Sequence, residues 1–254
     1  MAGIDFDFSS AYFSGTSNVV LPVANKQHFP EDFKQKSRLT YYASLFNSVE
    51  VNSTFYKLPL PQTVARWATE TPETFRFTFK LWKEITHNKS LAFSPDDVYK
   101  FMHIINFAGE RRGCILLQLP PATTVNISQL SMLLNTLKDA DVTAKWKIAV
   151  EFRHRSWYTN EVFDSLDDHR AGLVIHDLPA SAAPLRVGNV DFVYLRFHGP
   201  QGGFRGSYTD DFLQEYSTHI KEWIDDGKTV YAYFNNTMGS AVHNLGTLNK
   251  YVNQ

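Results

Sequence analysis

CILLQLP, residues 114–120, carries a single polar side chain, Gln118, in its seven positions. A strand with one wet face alternates apolar and polar residues, whereas a parallel strand covered on both faces reads as a near-continuous apolar run. A run this short also suits a strand better than a helix. Working outward from it, "KIAVEFR" (147–153), "GLVIHD" (172–177), "FVYLRFH" (192–198) and "TVYAYFN" (229–235) read as further strands downstream. Upstream lie "FRFTFKL" (75–81), the segment 48–52 and a first strand at about 12–14 that ends in Gly15-Thr16-Ser17. Helical patterns separate most of them. One spans about 37–46, one starts at Pro61, and one opens at Ser94-Pro95-Asp96-Asp97, with an N-cap, a proline at the first helical position and acids in the first turn. Others cover 127–137, 160–169, 209–226, which Gly227 stops, and 240–251. Eight strands, most of them followed by a helix, in 254 residues predict an α/β fold, a TIM-type (β/α)8 barrel, regular or not. A doubly wound open sheet is the competing architecture. No linker, repeat or low-complexity stretch interrupts the chain, so residues 1–254 are expected to form a single domain.

Composition narrows the function classes. The chain is 43% hydrophobic and 20% charged, with a formal net charge of −1, so no global basic field exists to hold nucleic acid. The one cysteine, Cys114, excludes an internal disulfide and, inside an apolar run, reads as a small buried hydrophobe. No apolar run approaches the ~20 residues of a membrane helix. The N-terminal MAGIDFDFSS lacks a basic cluster followed by an apolar core, so no leader is expected and cytoplasm is the simplest location.

In a barrel of this kind the chemistry lies at the C-terminal ends of the strands. Polar residues accumulate there: Glu50 and Asn52, Lys80, Gln118, Glu151 with Arg153 and His154, His176 and Asp177, Arg196 and His198, Asn235 and Asn236. A period of two gives Glu50 and Asn52, Glu151 and Arg153, and Arg196 and His198 shared faces. If those faces point inward, they converge on one pocket. The plainer reading is that the acids and arginines neutralise one another without a chemical role.

The motifs "YYASLFNSVEVNSTFY", "RWATETPETFRFTFKLWKEITH", "EFRHRSW", "YLRFHG" and "YFNNTMGSAVHN" together resemble the DUF72, or YecE-like, family over nearly the whole chain. The resemblance implies a TIM-type barrel and no particular reaction. It also marks Glu50, Asn52, Thr54, Tyr56, Lys80, Thr86, His87, Glu151, Arg153, Trp157, Arg196, His198, Gly199, Asn235 and Asn236 as the family's recurring polar positions. One departure stands out: Asn18-Val19 follows Gly15-Thr16-Ser17 where the family usually has Gly-Trp, so the first loop is expected to shape a different rim.

Several chemistries fit these residues. Lys80, Arg153 and Arg196 suit an anion, with the arginine forks binding it bidentately. The glycine-rich "HGPQGGFRGS" and the turn through Gly239 suit a phosphate cradle. Glu151 as base or nucleophile and His198 as acid suit metal-independent hydrolysis, with Glu50, Asn52 and Asn235 orienting hydroxyls. Phe55, Tyr56, Trp82, Trp157 and Tyr233 are either a stacking rim or ordinary packing. The expected ligand is small and anionic or polyhydroxylated, a phosphorylated sugar or nucleotide first, with no cofactor. Three alternatives stay open. One is a divalent metal near His176, His198 and Glu151 in a phosphodiesterase or endonuclease-like barrel. Another is nucleic-acid binding. The last is a binding protein that turns nothing over. The oligomeric state is not legible.

Overall fold

The computed structural model describes residues 10–254; the first nine residues, on which the expectation about a leader largely rests, lie outside the described residues. Eight parallel strands form one sheet: β1 (Tyr12–Thr16), β2 (Ser48–Val51), β3 (Arg76–Lys80), β4 (Arg112–Gln118), β5 (Lys147–Glu151), β6 (Ala171–His176), β7 (Phe192–Phe197) and β8 (Thr229–Phe234). Their order, β1-β8-β7-β6-β5-β4-β3-β2, wraps the sheet round so that β1 returns to β2. The fold is therefore a nearly closed TIM-like barrel, and the open doubly wound sheet is set aside. No helix among the described residues is long and apolar enough to cross a membrane.

The line between β1 and β2 is joined mainly by side chains. Among the described residues one isolated bridge, Ser17 to Glu50, pairs the backbone there. Below it the Asn47 amide accepts from Ser14 N–H at 2.9 Å and donates to the Tyr12 carbonyl at 2.8 Å. The Tyr42 hydroxyl accepts from Thr16 N–H at 2.7 Å and donates to the Ser48 carbonyl at 3.1 Å. These two side chains satisfy backbone groups that a ladder would otherwise pair. Gly15 lies against this joint, where a Cβ would overlap the Ser48 carbonyl oxygen.

Inward-facing residues climb the barrel in layers. Phe13, Phe192 and Tyr231 belong to the buried cluster inside it, with Cys114, Leu116, Ala149 and Val174. Cys114 is fully buried there, as its apolar setting predicts. Above them Tyr194 and Tyr233 lie 5.3 Å apart, and the Tyr233 hydroxyl meets Ser48 Oγ at 2.5 Å and Thr78 Oγ1 at 2.9 Å. The next inward positions along the strands are Glu50, Lys80, Gln118, Glu151 and Arg196, so the interior changes from apolar to hydroxyl-rich to ionic within two residue pairs.

Around the barrel lie α1 (Arg38–Ala43), α2 (Ser53–Tyr56), α3 (Pro61–Thr69), α4 (Lys83–Thr86), α5 (Pro95–Ile105), α6 (Ile127–Ala140), α7 (Asn160–Asp168), α8 (Asp210–Asp225) and α9 (Ala241–Val252). The expected starts at Pro61 and Pro95 and the stop at Gly227, whose φ is 77°, all occur. Between β6 and β7 a loop replaces the helix. Asp167 in α7 holds it, accepting from Arg186 at 2.9 Å and from Asn189 N–H at 2.7 Å. The strand expected over 48–52 stops one residue early, because Asn52 turns into helical backbone (φ −83°, ψ −14°) and begins α2. Thr54 locks that turn by bonding the Val51 carbonyl at 3.0 Å and the Lys80 carbonyl at 2.7 Å.

Candidate functional site

The C-terminal mouth is floored by a connected ionic group. Arg196, 1% exposed, grips Glu50 with two bonds, Nε to Oε2 at 2.9 Å and Nη2 to Oε1 at 2.7 Å. Its remaining amine, Nη1, donates to Glu151 Oε2 at 2.6 Å. Ser17 and the Tyr194 hydroxyl each donate to Glu50 at 2.6 Å, so that carboxylate has four donors. Arg153 Nε donates to the other oxygen of Glu151. Two carboxylates and two guanidinium groups thus interlock, and bidentate, charge-assisted bonds are the geometry that tolerates such burial. Burial pushes Glu50 and Glu151 upward, but the facing arginines more than reverse it. Glu50 sits below the usual carboxylate range and Glu151 well below it.

His198 completes the floor. Its Nε2 receives Arg153 Nη2 at 2.8 Å and Arg196 Nη1 at 3.3 Å. Both partners are obligate donors, so Nε2 is an acceptor and the proton resides on Nδ1. Nδ1 lies 3.6 Å from Asp177 Oδ1 and has no hydrogen-bond partner among the described residues. Asp177 is engaged elsewhere: it accepts from His198 N–H at 2.7 Å and from the Tyr208 hydroxyl. Burial, with both arginines, lowers the His198 pKa against the pull of Glu151 and Asp177. The imidazole is neutral at pH 7.

His176 is also committed. Its Nε2 donates to the Phe152 carbonyl at 3.0 Å and its Nδ1 accepts from Leu178 N–H at 3.3 Å. Burial brings its pKa down to about 4. A histidine whose folded pKa lies below its unfolded value near 6.5 favours folding above pH ~6.5 and opposes it progressively down to pH ~4. His176 is therefore expected to remain neutral throughout an NMR titration from pH 8 to 5, while unfolding stability falls between pH ~6.5 and 4. A His176 ring titrating near 6.5 in the folded protein would contradict this arrangement.

Lys80 stands at the edge of the floor. Its Nζ donates to Gln118 Oε1 at 2.7 Å and lies 4.2 Å from the centre of the Phe55 ring. Gln118 is itself fixed by donating to the Leu119 carbonyl at 2.9 Å. No carboxylate among the described residues lies within 4.0 Å of Nζ. Burial, aided by Arg196, lowers the lysine to about 8, with Glu151 and Glu50 opposing.

The sequence profile described as "Protein of unknown function DUF72" matches residues 14–254. The chain belongs to the DUF72 family. It is 25% identical to the UPF0759 protein YunF of Bacillus subtilis over 244 residues, covering 83% of this chain and 84% of that one. It is 35% identical to the UPF0759 protein YecE of Escherichia coli over 120 residues, 47% of this chain and 43% of that one. A crystal structure of a DUF72 family protein from Thermotoga maritima superposes with a TM-score of 0.77 at 24% identity, covering 96% of this chain and 99% of that one. One from Enterococcus faecalis superposes at 0.79 with 22% identity, covering 96% of each. Those two likenesses establish the shared fold alone.

The other expected site residues of this DUF72 barrel divide into three groups. Asn52 and Asn235 are half-buried at the ends of β2 and β8; Asn52 Oδ1 has no partner, and the Asn235 side chain makes no hydrogen bond among the described residues. Tyr56 is 71% exposed and packs edge-on against Phe55 at 4.9 Å, so both stand on the rim. Trp157 and Tyr233 do not. Trp157 is fully buried, stacked on Phe152 at 4.7 Å, with its indole N–H on the Thr123 carbonyl at 2.7 Å; Tyr233 lies deep in the barrel. Packing is the correct reading for these two. Glu50 is sealed, with no exposure, and cannot reach a ligand hydroxyl.

In the glycine-rich loop some N–H groups bond the protein, while those of Gln201, Gly203, Arg205, Gly206 and Ser207 make no hydrogen bond among the described residues. Phe204 donates to the His198 carbonyl at 3.0 Å, Gly202 to that of Gly199 at 2.7 Å and Gly199 to the Tyr208 hydroxyl at 2.5 Å. In the next loop, Met238 and Ser240 donate to the Phe204 and Gly206 carbonyls at 3.0 and 3.1 Å. As for a metal near His176, His198 and Glu151, no three His, Cys, Asp or Glu among the described residues are grouped to hold one, and the Nε2 atoms of the two histidines face arginine and backbone.

In the first loop Asn18 adopts φ 61° and accepts from Asn52 N–H at 3.0 Å, tying it to the end of β2. Val19 lines a cavity of about 230 Å³ with Leu39, Val49, Val51 and Trp67. Ser17 and Tyr194 are the contributors that sequence reasoning missed. Tyr194 shares inward parity with Arg196, and that signal was available.

Proposed function

We propose that the mouth binds a small anionic or polyhydroxylated ligand, a phosphorylated sugar or nucleotide first, with Arg153 anchoring the anion and Asn52 and Asn235 meeting hydroxyls. The observation that carries this reading is a cation in no ion pair. Glu50 and Glu151 are committed to Arg153 and Arg196, and Asp177 to the His198 N–H and the Tyr208 hydroxyl, so Lys80, half-buried at the opening, pairs with no carboxylate among the described residues. His198, neutral, brings no charge of its own. A guanidinium whose orientation is already fixed by Glu151 loses little freedom when a ligand arrives, which is what preorganised anion sites exploit.

The geometry gives less support to acid–base hydrolysis through Glu151 and His198. A carboxylate held by two guanidinium groups, with its pKa well below normal, is a weak base. A neutral imidazole whose Nε2 lone pair accepts from arginines has no proton there to give. Nucleic-acid binding is likewise not favoured, since a chain of net charge −1 whose two floor arginines are held by glutamates makes no phosphate-tracking strip.

The test is thermal unfolding and calorimetry with inorganic phosphate and ribose 5-phosphate. A ligand at one hundred times its Kd is expected to stabilise the native barrel by about 2.7 kcal/mol. Arg153→Gln is expected to weaken binding about tenfold or more, since a hydrogen bond to a charged group contributes roughly 1.5–3 kcal/mol. Absence of stabilisation by either anion, or equal binding by a folded Arg153→Gln, would sink the reading.

A further inference from the structure

We propose that Lys80 is a nucleophile that forms an imine with a small carbonyl compound carrying a carboxylate or phosphate group. This rests on the reading of the mouth as an anion site. Four observations converge. Lys80 ends β3 at the mouth and is half-buried, so its amine is neither sealed off nor freely solvated. Its ammonium has three donors, and among the described residues one acceptor, Gln118 Oε1, meets them. The lysine is not used in an ion pair, because the neighbouring carboxylates are committed to Arg153 and Arg196. The Phe55 face covers one side of the amine, its ring centre 4.2 Å from Nζ.

Two features favour the free amine, against the Phe55 face and the two glutamates, which favour the ammonium. Desolvation disfavours the ammonium, and the positive arginines nearby act in the same sense. With a midpoint of about 8, roughly a tenth of the amine is unprotonated at pH 7; an ordinary lysine has only about three in ten thousand. His87 answers the same field: burial, then Lys80 and Lys83, bring it down to about 4, so at neutral pH it adds no charge beside the amine.

The step balances without an external oxidant or reductant. The Nζ lone pair attacks the carbonyl carbon, a C–N bond forms, and the oxygen takes up a proton to give a carbinolamine. The C–O bond then breaks, and both amine hydrogens depart with that oxygen as water, leaving C=N. Arg153 holds the anionic group of the substrate, which fixes the carbonyl relative to the amine and turns a bimolecular encounter into an oriented one.

The experiment incubates wild-type protein with pyruvate or glyceraldehyde 3-phosphate at pH 8, reduces with borohydride, and maps modified lysines by peptide mass. Acetone serves as the uncharged control, and phosphate stabilisation is measured on the same preparation. The expected result is a reduced adduct concentrated at Lys80, at least tenfold over any other lysine, present with the anionic carbonyls, much reduced with acetone and absent in Lys80→Arg. The mapping is done on the wild type, so the result stands even if that variant folds poorly. Adducts spread evenly over lysines, or an unmodified Lys80 peptide, would overturn the inference. If phosphate still stabilises the protein, the anion site survives that failure. If phosphate does not stabilise it and acetone labels Lys80 as well as pyruvate does, the anion requirement is overturned together with the reading it rests on.

Discussion

Arg196→Met is expected to destabilise the barrel by about 3–5 kcal/mol at pH 7.5, toward the upper end, since removing one partner of a buried pair leaves an uncompensated charge. Here Glu50 is left with no cation and Glu151 with Arg153 alone. Domains are commonly stable by about 5–15 kcal/mol, so the variant approaches the limit of folding. Its pH dependence is more diagnostic than its size. In the wild type the folded pKa values of Glu50 and Glu151 lie below their unfolded ones, so their contribution is present above pH ~4.5 and disappears as pH falls through the folded values. Without Arg196, burial dominates Glu50 and raises its folded pKa above the unfolded one. The Glu50 penalty is then relieved as pH falls, and the variant is expected to gain stability from pH 7.5 to about 5 where the wild type does not. Urea unfolding followed by tryptophan fluorescence at several pH values measures this. If the variant is insoluble, Glu50→Gln combined with Arg196→Met is expected to restore folding, since it removes the orphaned charge. A variant as stable as the wild type at pH 7.5 would show that the ionic floor contributes nothing to the fold.

Gly15→Ala is expected to have the second large effect, a loss of about 3 kcal/mol or more, at or beyond the upper end of ordinary overpacking. The added Cβ would overlap the Ser48 carbonyl oxygen and lie 2.8 Å from both the Ser48 carbonyl carbon and the Tyr42 hydroxyl. Backbone cannot rotate aside as a side chain can, so β1 and β2 must separate. Separation breaks the Tyr42 and Asn47 bonds that join the strands. Hydrogen exchange at the Ser14 and Thr16 amides is expected to accelerate more than exchange at the β4 and β5 amides, whose strands pair conventionally. A variant with wild-type unfolding and unchanged exchange at those amides would show that the joint closes differently.

Strand periodicity made much of this legible. The apolar run at 114–120 implied a covered parallel strand, and a period of two put Glu50, Lys80, Glu151 and Arg196 on inward faces, where they lie. Parity could not tell which acid meets which base, because that depends on the strands β2, β5 and β7 facing one another across the barrel. Nor could it end β2 at Val51: Ser53–Tyr56 becomes helical because Thr54 finds two carbonyls from separate strands, one of them distant in sequence. Trp157 and Tyr233 stayed ambiguous for a related reason. An aromatic near a strand end looks the same in sequence whether it stands on the rim or fills the core, and only packing separates the two.

The rim has two halves built from different materials. Around β7 and β8 the loops interlock through main-chain bonds, and Gly199 and Gly239 leave no room for a Cβ against Arg205 and Gly206. Around β2 and β3 the rim consists of side chains on two four-residue helices and the residues beside them, among them Phe55, Tyr56 and His87. A surface made of backbone keeps its shape whatever residues decorate it. A surface made of side chains changes with each substitution and leaves the scaffold intact. Divergence in ligand preference among barrels of this construction is therefore expected to accumulate on the β2–β3 side, while the opposite side is inherited as a fixed wall.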